Sequence, residues 1–211
     1  MPVKQILIAD DHPAIRSGVK QILSDEYSDI EFGEASNGVE TLKKIKEKKW
    51  DLLILDIDMP GRNGLEVMDQ LKEESSKVPV IIFSMHPEEQ MAVRAFKTGA
   101  AGYLSKNTLD SELVKAVQQV FNGRKYITPT AADLLVAQME NPHDKPLHEN
   151  LSNREYETFL LLAKGEKISD IAQALSLSAA SISTFRSRIL EKMGMKKNAD
   201  IISYAIKNKL V

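Results

Sequence analysis

Acidic side chains follow two apolar runs in the first half of the chain. Asp10 and Asp11 end one run, and Asp56 follows the run Leu52–Leu55. Carboxylates held close together raise one another's pKa unless a cation lies between them. Oxygen ligands without Cys or His suit Mg²⁺, which keeps several waters and shares phosphate oxygens. The pattern therefore predicts a Mg²⁺ site where these runs end.

A hydroxyl and an ammonium group end two further apolar runs. Ser84 follows one of them and Lys106 follows the other. A carboxylate beside Mg²⁺ and facing such groups suits phosphoryl transfer, because the metal neutralises charge, the ammonium holds a phosphate oxygen and the carboxylate attacks phosphorus. We predict Asp56 as the nucleophile, since its strand is the most apolar and the turn after it is the tightest. Asp10 and Asp11 are better placed as metal ligands.

Short apolar runs alternate with helical periodicity over the first 122 residues, which predicts a parallel sheet covered on both faces. Ligands of such doubly wound sheets bind at the carboxyl ends of the strands. If the first and third strands are neighbours, three carboxylates converge there. The predicted strands are Gln5–Ala9, Ile30–Ala35, Leu52–Leu55, Val78–Phe83 and Gly102–Leu104; the predicted helices are Pro13–Ser24, Gly38–Lys48, Gly64–Glu74, Pro87–Thr98 and Leu109–Asn122.

The pattern changes after residue 122. We predict an α/β domain over residues 1–125, a linker with one helix (Thr130–Met139) over residues 126–150, and a small all-α domain over residues 151–211. Two prolines and little apolar content mark residues 140–150 as linker. Helical patterns cover Ser152–Lys164, Ile168–Leu175, Ala179–Met193 and Ala199–Lys209.

The charge of the 211 residues is unevenly distributed. Residues 1–149 carry 18 Lys and Arg against 24 Asp and Glu, and residues 150–211 carry 10 against 6. The basic second half suggests a polyanionic partner. The absence of cysteine excludes disulfides, Cys-ligated zinc and a thiol nucleophile. Since no apolar run approaches ~20 residues, we expect an intracellular protein without a membrane span.

A helix-turn-helix pattern occupies the second half. Ile168–Leu175 and Ala179–Met193 are helical, and a break of three residues, 176–178, separates them. The outward face of the second helix carries hydroxyls and arginines, which can contact phosphates and base edges in a major groove. The predicted DNA-contacting residues are Ser178, Ser181, Ser183, Thr184, Arg186, Ser187, Arg188 and Lys192.

Residues 4–122 resemble the receiver domain of two-component response regulators, whose fold is flavodoxin-like. The motifs that carry the resemblance are Ile8–Pro13, Asp56–Pro60 with Gly64, Phe83-Ser84 and Gly99–Lys106. The resemblance implies that Asp56 accepts a phosphoryl group from a sensor histidine kinase. It implies that Asp10, Asp11, Asp56 and the Asp58 backbone carbonyl bind Mg²⁺, that Ser84 and Lys106 contact the phosphate, and that Tyr103 is an aromatic switch.

Two features test this resemblance. Receivers commonly have proline after the lysine, whereas Asn107 stands here, so a cis bond is not expected. Asp56 and Asp58 also match the Asp-x-Asp of haloacid-dehalogenase-type phosphatases. That motif normally follows the first strand and precedes a second acidic pair. The order is the reverse here, which argues against an enzyme.

Residues 151–211 are similar to LuxR-type DNA-binding domains. The similarity rests on Leu151–Glu155, Leu162–Gly165, Ile171-Ala172, Ser181–Ser183 and Lys192–Gly194. Ser152 and Glu155 also have the spacing of a capping box. Ser183 and Phe185 depart from the lysine and histidine common in this class, and fewer basic groups imply weaker, less salt-dependent DNA binding. The two halves together indicate the NarL/FixJ class of response regulators.

This class implies a cytoplasmic transcription factor whose phosphorylation favours dimerisation and binding to double-stranded promoter DNA. The last predicted helix carries Ile201, Ile202, Ala205 and Ile206, which suit either a dimer interface or packing within the domain. Two alternatives stay open. The output domain acts by protein–protein interaction, or the protein binds DNA without phosphorylation.

Overall fold

The computed structural model of the chain describes residues 3–107, 110–140, 146–208 and 210–211. The described chain forms two compact units, residues 1–135 and residues 136–211, and the division falls inside one helix. The elements are β1 Lys4–Ala9, α1 Pro13–Glu26, β2 Ile30–Ala35, α2 Gly38–Glu47, β3 Leu52–Leu55, α3 Gly64–Glu73, β4 Val80–Ser84, α4 Glu88–Thr98, β5 Gly102–Ser105, α5 Asp110–Phe121, α6 Pro129–Glu140, a 3₁₀ turn Leu147–Asn150, α7 Asn153–Ala163, α8 Ile168–Ala174, α9 Ala179–Lys192 and α10 Asn198–Lys207.

The first unit is a parallel sheet with the strand order β2-β1-β3-β4-β5. The order confirms that β1 and β3 are neighbours, with Ala9 opposite Leu55. The four residues of β3 are buried apolar side chains, because a central strand of a parallel sheet is covered on both faces. The predicted α/β doubly wound fold is confirmed. Its sheet edge at the strand carboxyl ends collects the polar residues discussed below.

Most element boundaries differ from the predicted ones by one or two residues, and those of β4 are the ones that bear on the site. β4 begins at Val80 instead of Val78, and it extends to Ser84, which pairs with Ser105. Pro79 has no N–H to donate to a ladder, although its carbonyl accepts a hydrogen bond from Leu53. The predicted start of α5 at Leu109, the predicted end of α10 at Lys209 and linker residues 141–145 lie outside the described residues.

The turn after β3 is closed by a glycine. A Cβ added to Gly64 would lie 2.1 Å from the carbonyl oxygen of Asp56. Asn63 caps α3 in a capping box with Glu66, so the helix begins at a fixed point close to the strand end. The close approach of α3 to β3 therefore depends on a residue without a side chain.

The described residues of the second unit form helices joined by turns. Ile171, Ile182, Ile189 and Ile201 lie fully buried in its core. The predicted capping box of Ser152 and Glu155 is confirmed at the start of α7. In the described residues of both units, no helix is long and apolar enough to cross a membrane.

Candidate functional site

Two neighbouring strands bring the predicted carboxylates together. The Asp56 N–H donates to the carbonyl of Ala9 over 2.8 Å, which fixes the end of β3 beside the end of β1. Asp56 is 1% exposed and Asp10 is 2% exposed, whereas Asp11 is half-buried. Burial of this kind disfavours charge, so these carboxylates need partners.

Lys106 is the cation that the structure places between these two buried carboxylates. Its Nζ lies 2.7 Å from Asp56 Oδ2 and 2.6 Å from Asp10 Oδ2, and its side chain is 4% exposed. Burial by itself lowers the pKa of Lys106, but the negative charges of Asp56 and Asp10 raise the pKa above its ordinary value. The ammonium group therefore stays charged at neutral pH.

The pKa of the Asp56 carboxyl group is also raised. Burial raises the pKa of Asp56 to about 6, Lys106 opposes this rise, and the charges of Asp10 and Asp58 add to it. A carboxylate whose pKa is raised in this way is more basic and more nucleophilic than an ordinary one. Such perturbed groups concentrate at functional sites.

The donor set fits a hard divalent cation. Asp10, Asp11, His12 and Asp56 each offer a ligand atom, and these atoms all lie within 4.8 Å of one another. One buried carboxylate oxygen of Asp11 and one of Asp56, Oδ1 in each case, accept no hydrogen bond from the described residues. His12 Nδ1 approaches the Asp11 oxygen to 2.7 Å without the geometry of a hydrogen bond. Unsatisfied buried oxygens together with carboxylate ligands favour Mg²⁺.

The carboxylate of Asp58 contacts a histidine instead of Lys106. Asp58 Oδ1 lies 3.0 Å from His86 Nε2, and the Asp58 side chain is 43% exposed. Asp58 lies two residues after Asp56 at the end of β3. His86 likewise lies two residues after Ser84 at the end of β4. Equal offsets on neighbouring parallel strands are a signal that predicts this contact, although His86 is not among the predicted site residues.

The loop between β4 and α4 contacts the predicted switch residue. The Tyr103 hydroxyl donates to the backbone carbonyl of His86 over 2.8 Å, and the His86 N–H donates to Ser84 Oγ over 3.2 Å. Tyr103 and Ser84 are both buried. Burial raises the pKa of Tyr103 far above its ordinary value, so the phenol is neutral and donates its proton. The described backbone has no cis peptide bond, so Lys106–Asn107 is trans.

The helical unit contains the predicted helix-turn-helix. α8 and α9 are joined by residues 175–178, where Ser176 adopts a positive φ of 53°. Ser178 caps α9 by accepting from the Ser181 N–H. The buried positions of the two helices and their ends include Ile171, Ala172, Leu175, Ile182, Ile189 and Met193.

The outward face of α9 is polar, and its hydroxyls bond to their own helix. Ser183 donates to the Ala179 carbonyl, Thr184 to that of Ala180 and Ser187 to that of Ser183. These three side chains and that of Arg188 are exposed. They are among the exposed members of the predicted DNA-contacting set.

Two predicted DNA-contacting cations have partners within their own unit. Arg186 Nε donates to Asn198 Oδ1 over 2.6 Å at the start of α10. Lys192 Nζ lies 2.6 Å from Glu155 Oε2, which belongs to the capping box of α7. Such pairings depend on tertiary placement, so helix periodicity could not reveal them. Their role in DNA binding stays a prediction.

Comparisons with known proteins agree with this arrangement. Residues 6–118 match the family described as response regulator receiver domain, and residues 149–205 match the bacterial regulatory proteins of the luxR family. Sheet, pocket and family match together define the first unit as a receiver. The whole chain belongs to the NarL/FixJ class of response regulators, which joins a receiver to a LuxR-type domain.

Relatives match over almost the full chain. The response regulator UvrY of Escherichia coli K12 is 31% identical over 206 residues, covering 97% of this chain and 94% of UvrY. The response regulator GacA of Pseudomonas aeruginosa PAO1 is 32% identical, covering 98% and 97%. RcsB of Salmonella enterica, solved with promoter DNA and the phosphomimetic BeF₃⁻, has a TM-score of 0.65 at 21% identity, covering 95% and 97%. RcsB supports the fold.

Proposed function

We propose that this chain is a transcription factor whose binding to promoter DNA is controlled by phosphorylation of Asp56. The observation that carries the proposal is the buried Asp56 carboxylate, with the Lys106 ammonium on one oxygen and the other oxygen without a hydrogen-bond donor. Residues 1–125 would receive the signal, residues 126–150 would connect, and residues 151–211 would bind DNA. Since the target is promoter DNA, the protein would act in the cytoplasm.

The chemical step is a transfer between two amino-acid side chains. An oxygen of Asp56 attacks phosphorus, the bond from phosphorus to the histidine nitrogen of a sensor kinase breaks, and the electron pair returns to that nitrogen. Bound Mg²⁺, held by Asp10, Asp11, Asp56 and the Asp58 carbonyl, would neutralise charge on the transferred group. Lys106 holds a phosphate oxygen, and the Ser84 hydroxyl donates to another.

The switch follows from the new charge on Asp56. A phosphorylated side chain brings added negative charge and strong acceptor oxygens. Ser84 Oγ, which accepts from the His86 N–H, would turn to the phosphate, and the loop that Tyr103 contacts would follow. The output would be promoter binding through α9; RcsB, which has a similar fold, was solved with promoter DNA.

Dimerisation on phosphorylation would use α10. Ile201 and Ala205 are buried within their own unit, so this part of the helix serves internal packing. Ile206 is 61% exposed and Ile202 is partly exposed, which leaves an apolar strip for a second copy. Two α9 helices would then reach half-sites about one turn of DNA apart.

The test uses acetyl phosphate with Mg²⁺ and intact-mass measurement. We expect the wild type to gain one phosphoryl group, Asp56→Ala to gain none, and Asp25→Ala, a change at an exposed acid outside the pocket, to behave as the wild type. Mobility-shift assays of the same samples on the protein's own promoter region should show salt-dependent binding that phosphorylation strengthens. Phosphoryl transfer independent of Asp56 would refute the first step. Binding that phosphorylation leaves unchanged would favour the phosphorylation-independent alternative.

A further inference from the structure

The chain after α5 turns back along the edge strand of the sheet. We call residues 124–128 the strap. The Tyr126 N–H donates to the carbonyl of Ala101 over 2.8 Å, and Tyr126 pairs with Gly102 as a parallel bridge. A Cβ on Gly102 would lie 3.4 Å from Tyr126 Cβ, so the two backbones are in close contact. The strap covers an edge that would otherwise expose unpaired backbone groups.

The middle of the strap is anchored in the core. Tyr126 is 7% exposed and belongs to the cluster that includes Leu113 and Val117 of α5. Its hydroxyl donates to Glu112, and burial together with this bond raises the pKa of Tyr126 above its ordinary value. The anchored tyrosine fixes the position from which the chain enters α6.

The end of the strap contacts two helices through one hydroxyl. Thr128 Oγ1 donates to Glu88 Oε2 over 2.7 Å and accepts from the Ala131 N–H over 3.1 Å. Glu88 is the first residue of α4, and Ala131, which is buried, lies in the first turn of α6. The cap of α6 is therefore oriented by a carboxylate on α4.

Glu88 lies next to the β4–α4 loop, which contacts residues of the pocket. It lies four residues after Ser84, and the intervening His86 contacts the Tyr103 hydroxyl and the Asp58 carboxylate. A displacement of this segment moves the acceptor of the Thr128 hydroxyl. A hydroxyl that loses its charged acceptor is also less well oriented as a cap.

We propose that the bond between Thr128 and Glu88 carries the phosphorylation signal from the β4–α4 loop into α6. This inference rests on the proposed function. Phosphorylation of Asp56 moves the loop, the bond to Glu88 breaks, and the first turn of α6 opens more often. The strap thereby makes the stability of the connecting helix depend on the state of the pocket.

Hydrogen exchange of the full chain, read by mass spectrometry over residues 126–135, tests the contact. Glu88→Ala removes the acceptor, whereas Glu88→Gln removes the charge but keeps an oxygen that accepts. Without phosphodonor, we expect exchange in the first turn of α6 to be about fivefold faster in Glu88→Ala than in Glu88→Gln, as for one net hydrogen bond. Equal rates in the two variants would overturn the proposal.

Acetyl phosphate with Mg²⁺ tests the coupling. In the wild type, exchange should change over residues 84–88 and also over residues 126–135. In Glu88→Ala only residues 84–88 should respond, because the strap no longer senses the loop. A response of residues 126–135 that is as large in Glu88→Ala as in the wild type would contradict the proposal. Absence of a phosphoryl mass on Asp56 would instead refute the proposed function, and the comparison without phosphodonor still decides whether Glu88 holds α6.

Discussion

Asp56→Asn is expected to stabilise the receiver when Mg²⁺ is removed by a chelator. The Asp56 side chain is 1% exposed, and its ionised form is disfavoured by burial and by the charges of Asp10 and Asp58. Asparagine has nearly the same shape without the charge. Lys106 keeps a partner in the variant, because its Nζ also lies 2.6 Å from Asp10 Oδ2.

The pKa of Asp56 gives the magnitude. Raising the pKa from 3.8 to about 6 corresponds to a cost of about 3 kcal/mol for ionising this group in the folded protein, at 1.36 kcal/mol for each tenfold change. Because the folded pKa is higher than the unfolded one, protonation of Asp56 stabilises the fold. That contribution is fully present below the unfolded pKa and is lost as pH rises through about 6. At pH 7.5, Asp56→Asn should raise the free energy of unfolding by up to about 3 kcal/mol.

The single tryptophan makes the measurement specific to the receiver. Trp50 packs against Gly33 of β2 and donates its indole N–H to the Lys44 carbonyl. Urea unfolding followed by Trp50 fluorescence in EDTA should place the midpoint of Asp56→Asn roughly 1 M or more above that of the wild type. Asp29→Asn, at an exposed position, makes the same charge change and should leave the midpoint unchanged.

Unfolding in the presence of Mg²⁺ complements the measurement in EDTA. If Mg²⁺ binds the folded pocket as proposed, it should stabilise the wild type, and it should stabilise Asp56→Asn less. Lowering the pH from 7.5 to 5 in EDTA should narrow the difference between the two proteins. An Asp56→Asn midpoint at or below that of the wild type at pH 7.5 in EDTA would show that the buried carboxylate carries no such cost.

Three further outcomes are expected. Gly64→Ala should destabilise the receiver by about 1–3 kcal/mol, since its Cβ meets the Asp56 carbonyl, whereas Gly18→Ala in α1, with no described atom within 4 Å, should be neutral or stabilising; Trp50 fluorescence in urea reports both. Hydrogen bonds from Lys192 and Ser152 outweigh burial and lower the pKa of Glu155. Its contribution to stability is therefore present above its unfolded pKa and lost as pH falls through its lower folded pKa. Glu155→Gln should cost the helical unit about 1–3 kcal/mol at pH 7 in urea unfolding followed by circular dichroism. Arg188→Ala should weaken promoter binding and lower the salt slope by about 1 in mobility-shift titrations.

The first unit shows which features of the fold the sequence patterns predict. The run Leu52–Leu55 predicted a buried central strand, and the structure has a strand of the same bounds with Asp56 at its end. The carboxyl ends of parallel strands lie at the same edge of the sheet. The positions of the strand ends were therefore sufficient to predict that Asp10, Asp56 and Lys106 lie close together. The roles of these residues in phosphoryl transfer stay predictions, because proximity alone does not demonstrate reaction.

The strap shows what patterns miss. Residues 124–128 form one bridge and one side-chain anchor, which is too short for a periodic signal. Long cations pose a related difficulty, because Arg186 and Lys192 can reach several partners. Which partner each one takes depends on where α10 and α7 pack. Tertiary geometry decides such contacts, and no window of sequence contains it.

The hydroxyls of α9 give the proposed DNA-contacting face a defined polarity. The hydroxyl groups of Ser183, Thr184 and Ser187 donate their only hydrogen to carbonyls of their own helix. Their oxygen lone pairs can still accept hydrogen bonds. A base that offers a donor, the amino group of cytosine or adenine, can bind them without breaking a bond. A phosphate or the major-groove edge of guanine, which offers only acceptors, would instead need a donor such as the Arg188 guanidinium. If α9 enters the major groove as proposed, it would present oxygens that accept and a guanidinium that donates, and it would prefer base pairs with an amino group toward the hydroxyls.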